Sequence, residues 1–298
     1  MNELISFLEN QDVEYSGNKK LSECTSIGIG GAAEIFVSPN SKEKFTETVL
    51  FLHREKIPYR IIGNLTNILP ADDRIKTVLV STLGLNRYSI TESSVLGEAG
   101  VLFSSLIRAA EKCSLGGYES LFGIPGTVGA MIAMNAGAFG SAISDHLDFV
   151  TVLSPADECI LTLKRDDIAF FYRDSEIKRQ GFIVLEASFC FNRSDRREIS
   201  RKIREIIKKR TDSQPTDKRS LGSVFKRSEK LTASYMIDRI GLKGMRCGGV
   251  SVSQKHAGFF VNDGGATASD FLKLTKLVKS EVDKKYGVKL EEEFEYLS

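Results

Sequence analysis

The sequence contains no apolar run long enough to cross a bilayer, for which about 20 residues are needed. Met1 to Lys20 is polar and acidic and lacks the basic start and apolar stretch of a secretory signal, so a cytoplasmic location is expected. Cysteine is sparse and unpatterned. Cys24, Cys113, Cys159, Cys190 and Cys247 are odd in number and widely scattered, with no CxxC or zinc-ligand spacing. That argues against a disulfide framework and points to reduced thiols with no metal centre. Internal repeats and low-complexity tracts are missing. No signature of a nucleic-acid-binding module is present either, so neither nucleic acid nor membrane is an expected partner.

What is there is an ordinary globular composition. The chain has 298 residues, 42% hydrophobic and 27% charged, enough for two or three compact domains with a sizeable core. The net charge of +2 is unevenly spread: Arg193 to Lys230 holds 14 Lys and Arg against 6 Asp and Glu. Such a block suits nucleic acid, a membrane surface or a phosphorylated small molecule; over residues 194–210 it reads equally well as a solvated helix face.

Hydrophobic spacing organises the chain. Ala33 to Val37, Pro58 to Ile62 and Lys76 to Ser81 read as strands, and Ser41 to Arg54 as a helix through Phe45, Val49 and Leu52. Together they make a small α/β unit. Gly97 to Cys113 reads as a strand end and a helix. The glycine-dense stretch Leu115 to Gly140 is too irregular for one long helix. Phe149–Leu153, Cys159–Leu163 and Phe182–Phe191 read as strands of an antiparallel sheet. Ser194 is the expected N-cap of a helix with Ile199, Ile203, Ile206 and Ile207 on one face, followed by a polar loop from Thr211 to Ser220. A shorter helix runs from Thr232 to Gly241. The last helix starts at Thr267 with Asp270 three residues on, carries Lys284 and Lys285 in its final turn, and stops at Gly287.

Two glycine motifs compete for attention. Gly28-Ile-Gly-Gly-Ala-Ala33 fits GxGxxA superficially, but those glycines precede a strand instead of joining a strand to a helix, which speaks against a Rossmann site. Gly123-Ile-Pro-Gly-Thr-Val-Gly129, followed by Met134-Asn-Ala-Gly-Ala-Phe-Gly140, is more specific. Its glycines leave main-chain N–H groups open to phosphate oxygens, and Pro125 fixes the turn.

These two stretches resemble the FAD-binding signature of the UDP-N-acetylenolpyruvoylglucosamine reductases. The resemblance continues through Thr25-Ser-Ile-Gly-Ile-Gly-Gly-Ala-Ala-Glu34, Tyr172-Arg173-Asp-Ser175, Gln214-Pro215, Gly222-Ser223-Val-Phe-Lys226, Gly241-Leu-Lys-Gly244, Val252-Ser253, Lys255-His-Ala-Gly-Phe259, Asn262, Gly264-Gly-Ala-Thr267 and Leu290-Glu-Glu-Glu293. It covers about residue 25 to the C-terminus, and the chain resembles the shorter form of the family.

The resemblance implies an α+β architecture: a two-subdomain FAD-binding fold of the vanillyl-alcohol-oxidase/cresol-hydroxylase type plus a C-terminal α/β substrate-binding domain. The implied boundaries are 1–82, 83–193 and 194–298. It also implies NADPH-dependent reduction of UDP-N-acetylglucosamine enolpyruvate through bound FAD, by a monomer. Ser223 aligns with the general acid, and Arg173 and Glu293 with the two charged residues that stabilise the enolic intermediate. A slip of register would move the last role to Glu292 or Glu295. Gly63, Asn64, Leu65, Thr66, Asn67, Gly123, Ile124, Pro125, Gly126, Gly129, Asn135, Gly137 and Gly140 align with FAD-binding positions. Lys226 and Lys255 are expected to face the uridine diphosphate. His256 reads as structural.

The chain departs from the family pattern in the first loop. The usual Gly-x-Gly-Ser-Asn is here Gly63-Asn-Leu65-Thr66-Asn67, and Leu65 takes the place of a glycine. That matters if the main chain there needs positive φ or close contact. The alternative function is therefore a divergent paralogue that binds flavin or nucleotide sugar without turnover.

Overall fold

The computed structural model describes residues 2–228 and 231–298; Lys230, the last residue of the basic block, lies outside the described residues. The chain packs as two compact units that are not contiguous in sequence. The first comprises the residues up to Gly17, Ile35–Asn64 and Thr77–Lys208; the second comprises Asn18–Glu34, Leu65–Lys76 and everything from Lys209 on. The units interleave along the chain: segments 18–34 and 65–76 pack with the C-terminal residues.

In the first unit, Val78–Ser81 pairs in parallel with Tyr59–Ile62 on one side and, through Leu79 and Val80, with Phe36 and Val37 of Ala32–Ser38 on the other. The helix Lys42–Arg54 connects two of these strands. Ser41 caps it, its hydroxyl accepting from Lys44 N–H at 3.2 Å, and Phe45, Val49 and Leu52 are buried as their spacing requires. A five-stranded antiparallel sheet follows, in the order Cys159–Lys164, Leu147–Ser154, Ile183–Cys190, Ser94–Glu98 and Tyr88–Ile90. The helix Phe103–Lys112 buries Phe103, Leu106, Ile107 and Ala110 in the same core.

The second unit is built on an antiparallel sheet in the order Arg219–Ser223, Phe259–Asn262, Val250–Val252 and Arg246–Cys247. Helices Ala233–Arg239 and Ala268–Tyr286 share its core, where Phe225, Phe260, Phe271 and Phe294 meet ring to ring. Glu295–Leu297 pairs in parallel with Ile68–Pro70, drawing a segment from early in the chain into this unit. Helix Ala268–Tyr286 has the expected capping box between Thr267 and Asp270, and Gly287 ends it at φ 64°. The Asp72 carboxylate adds a second anchor, accepting from the N–H groups of Ala268 and Ser269 at 2.7 and 3.0 Å. This places a negative charge at the positive end of the helix dipole.

One cap differs from expectation. The basic helix is Arg196–Ser213, and its first N–H groups turn to Asp195, whose carboxylate accepts from Arg197 N–H at 2.6 Å. Ser194 instead donates its own N–H to the Ser114 carbonyl. A carboxylate outcompetes a hydroxyl here because the helix N-terminus is electropositive. The helix also runs three residues into the stretch read as loop. Ile199, Ile203 and Ile206 are buried, whereas Arg201 and Lys202 pair with Glu205 and Glu198 one turn away, as on a solvated helix face.

Candidate active site

The residues assigned from sequence fall into two groups, one in each unit. In the first unit, the glycine-rich stretch wraps a short helix, Val128–Ala133. Gly123, at φ 85°, donates its N–H to Ser104 Oγ at 3.0 Å. Asn64 Nδ2 donates to the Pro125 carbonyl at 3.0 Å, which brings Gly63 and Asn64 beside Pro125 and Gly126. A Cβ at Gly63 would lie 2.7 Å from Thr127 Oγ1, so only glycine permits this approach.

Beyond the helix, Gly137–Ala138 and Ser141–Ala142 form a hairpin whose turn residues, Phe139 and Gly140, have φ of 51° and 85°. A second hairpin, Phe170–Phe171 with Asp174–Ser175, carries Tyr172 and Arg173 at its turn. Three hydrogen bonds knit the two stretches together. Asn135 Nδ2 donates to Phe171 O at 2.9 Å, Arg173 Nη1 donates to Gly137 O at 3.2 Å, and Ser175 Oγ donates to Ala133 O at 2.9 Å. The serine of the Tyr-Arg-x-Ser motif is thus fully buried and structural. Arg173 holds φ 56°, outside the usual range for an arginine, and its guanidinium sits 5.2 Å from the Tyr172 ring centroid. Main-chain strain at a charged residue is the kind of outlier that clusters at functional sites.

In the second unit, Ser223 ends the strand Arg219–Ser223 after Gly222, which holds φ 80°, at an irregularity in pairing with Phe259–Asn262. Its Oγ lies 3.3 Å from Phe225 O. The chain from Ser223 to Lys226 runs antiparallel to Glu291–Glu293: Glu293 N–H donates to Val224 O at 2.8 Å and Lys226 N–H to Glu291 O at 2.9 Å. Ser223 and Glu293, far apart in sequence, are therefore neighbours along one strand pair. Glu292 is engaged elsewhere, its carboxylate accepting from Lys279 Nζ at 2.7 Å. Lys226 Nζ lies 3.4 Å from Glu291 Oε2, and Lys255 Nζ donates to Thr211 O. His256 accepts from Gly258 N–H on Nδ1 and packs edge-on against Phe259; burial pushes its pKa down. It holds the loop together, as expected.

The opening glycines belong to this second unit and are held by main-chain contacts. Asn262 Nδ2 donates to Ile27 O at 2.9 Å, and Ser26 Oγ lies 2.7 Å from Ser220 O. No helix follows them before Ala32–Ser38, in agreement with rejection of the dinucleotide fingerprint.

The residues present fit FAD on two counts. Thr127 Oγ1 and Asn135 Oδ1 are buried with no hydrogen-bond partner, and an unsatisfied buried oxygen calls for a donor that the protein alone does not supply. Gly63, where a Cβ would lie 2.7 Å from Thr127 Oγ1, sets side-chain-free main chain beside that oxygen. Sequence reading passed over Thr127. Its signal was a hydroxyl inside the glycine motif, at a helix N-cap position where it makes no cap hydrogen bond.

Leu65 stands at φ 49° and is only 5% exposed. The loop thus keeps the left-handed conformation that its resemblance to a glycine position demanded, with a leucine in it. Relief of the left-handed strain in a Leu65→Gly variant is worth about 1–2 kcal/mol. Loss of the buried side chain costs about 1.5–3 kcal/mol, and the freedom of glycine in the unfolded chain adds roughly 0.5–1 kcal/mol. Leu65→Gly is expected to lower stability by about 1 kcal/mol. Urea unfolding of the two proteins measures it, and a raised midpoint in the variant would show that strain outweighs burial.

Comparison with known proteins places both halves. Residues 33–164 match the family described as FAD binding domain, and residues 214–297 match the UDP-N-acetylenolpyruvoylglucosamine reductase, C-terminal domain. The chain is 37% identical over 294 residues to the UDP-N-acetylenolpyruvoylglucosamine reductase of Fervidobacterium nodosum, spanning 98% of this chain and 94% of that one. With the Thermotoga sp. protein of the same name it shares 39% over 278 residues, 93% and 91% of the two chains. The crystal structure of UDP-N-acetylenolpyruvylglucosamine reductase from Thermus caldophilus aligns with a TM-score of 0.82 at 30% identity, covering 96% of this chain and 99% of that one.

Proposed function

We propose that this chain, which belongs to the UDP-N-acetylenolpyruvoylglucosamine reductase family, reduces UDP-N-acetylglucosamine enolpyruvate to UDP-N-acetylmuramate, with NADPH as hydride donor, in peptidoglycan precursor synthesis. The observation that carries the reading is the pairing of Ser223 to Lys226 with Glu291 to Glu293, inside a domain matched over residues 214–297. Bound FAD supplies the two-electron carriage between NADPH and the substrate double bond.

The residues do the rest. Thr127, Asn135, Gly63, Asn64 and the 123–129 loop would hold the cofactor, the unsatisfied oxygens of Thr127 and Asn135 accepting from it. Once hydride has reached one alkene carbon, enolate-like charge builds on the pyruvyl group. The Arg173 guanidinium offers parallel hydrogen bonds to that charge, and Glu293 makes the second stabilising contact. The Ser223 hydroxyl delivers the proton to the neighbouring carbon. A serine is a weak acid in water, so its position and surroundings must assist it. Lys226 and Lys255 offset the charge of the uridine diphosphate.

The three functional parts, residues 1–82, 83–193 and 194–298, serve as two FAD-binding subdomains and a substrate-binding domain. The enzyme acts as a cytoplasmic monomer. The non-catalytic alternative rests on Leu65; its left-handed main chain, the conformation a glycine would supply there, supports the catalytic reading.

The test is NADPH consumption by the FAD-loaded protein. It is expected to require the enolpyruvyl sugar and to consume one NADPH per sugar reduced. Oxidation of NADPH that ignores the sugar and follows oxygen would mark an oxidase and overturn the reading.

A further inference from the structure

The main chain of Glu293 is gripped at both of its polar atoms. Its N–H donates to Val224 O at 2.8 Å, and its carbonyl accepts from Asn67 Nδ2 at 2.9 Å. Asn67 also uses its own carbonyl, which accepts from Glu295 N–H at 2.9 Å. One residue therefore holds the chain on either side of Phe294, whose ring is buried 5.2 Å from that of Phe271. The residue before it is tethered as well: Ser26 Oγ lies 3.4 Å from Thr66 O and 2.7 Å from Ser220 O, at the strand leading to Ser223.

A carboxylate that must meet a reacting group within about half an ångström has to be fixed by its own supports. Glu293 sits in an acidic run near the chain end, where Glu291 and Glu292 turn to Lys226 and Lys279. Asn67 is the side chain that grips its main chain. Sequence alignment gives Asn67 to the cofactor, but the amide is directed at the Glu293 carbonyl.

We infer that Asn67 is a positioning residue for Glu293, coupling residues 65–67 to the acid-bearing strand through its side-chain amide. The inference rests on the proposed role of Glu293. Asparagine is required because it offers a donor; aspartate at the same place would set a carboxylate oxygen against the Glu293 carbonyl.

The experiment compares Asn67→Ala, the isosteric Asn67→Asp, Glu293→Gln and the double variant Asn67→Ala/Glu293→Gln, all in the full-length FAD-loaded enzyme. Single-turnover consumption of the enolpyruvyl sugar by pre-reduced enzyme is expected to fall about 30-fold in both Asn67 variants, the scale of a misplaced catalytic group. The dissociation constant for FAD, read by flavin fluorescence, should stay within about threefold of wild type, because the amide is not spent on the cofactor. In the Glu293→Gln background the Asn67 change should add less than about threefold, since coupled residues are non-additive.

Three results would overturn it: FAD affinity lost in step with turnover, wild-type turnover in Asn67→Asp, or the full Asn67 penalty repeated in the Glu293→Gln background. Wild-type turnover in Glu293→Gln would instead bring down the role of Glu293 itself, and this inference with it.

Discussion

Replacing Ser223 by alanine is expected to lower turnover of the enolpyruvyl sugar by about a thousandfold, the scale of a lost general acid. The substitution removes one oxygen and little else. Ser223 is half-buried at a strand end, its Oγ makes a long local contact of 3.3 Å to Phe225 O, and no helix cap or core hydrogen bond depends on it. The fold is therefore expected to survive, with the melting temperature within a few degrees of wild type. The glycine at 222 carries the positive φ that sets the turn, so the variant keeps the main-chain path that presents position 223. FAD retention should be unchanged, because the orphaned oxygens of Thr127 and Asn135 are untouched. A Ser223→Cys variant, with a more acidic hydrogen at nearly the same place, should recover part of the loss. Single-turnover assays of pre-reduced enzyme measure all three proteins. Turnover of Ser223→Ala within threefold of wild type would remove serine from the proton-transfer step.

Local chemistry was legible in the sequence wherever the signal and its consequence lay within a turn of helix. Thr267 and Gly287 were readable as caps because each satisfies main-chain groups a few residues away. The failure at Ser194 was a contest between adjacent oxygens, decided by charge. What the sequence withheld was long-range. Nothing in residues 18–34 or 65–76 announces that they pack with the C-terminal unit. The grouping follows from pairings such as Leu69 with Tyr296 and from Asn262 reaching Ile27, which have no local period. The candidate site divides the same way. Its residue types were legible through ordered motifs, but the engagement of Glu292 by Lys279 and the grip of Asn67 on Glu293 required coordinates.

Arg173→Lys is expected to lower kcat by about a hundredfold, as when one preorganised donor to a developing oxyanion is removed. The fall should appear in kcat with little change in KM for the sugar, because the contact is made to charge that exists only as the reaction proceeds. The reasoning is geometric. One guanidinium N–H, on Nη1, already donates to Gly137 O at 3.2 Å, and the plane lies against Tyr172. A guanidinium can keep that tether and still direct a second, parallel donor elsewhere, because its donors form a rigid fork. A lysine ammonium is a single point, so it can hold Gly137 O or reach the substrate but not both in one fixed geometry. The main chain sharpens the argument. Arg173 holds φ 56°, and the hairpin is pinned by Ser175 and by Asn135, so a lysine there is expected to keep the same turn. Steady-state kinetics with varied enolpyruvyl sugar, at saturating NADPH, separate the outcomes. A rise in KM at constant kcat would mean that Arg173 binds the ground-state carboxylate, and unchanged values for both would place the developing charge beyond its reach.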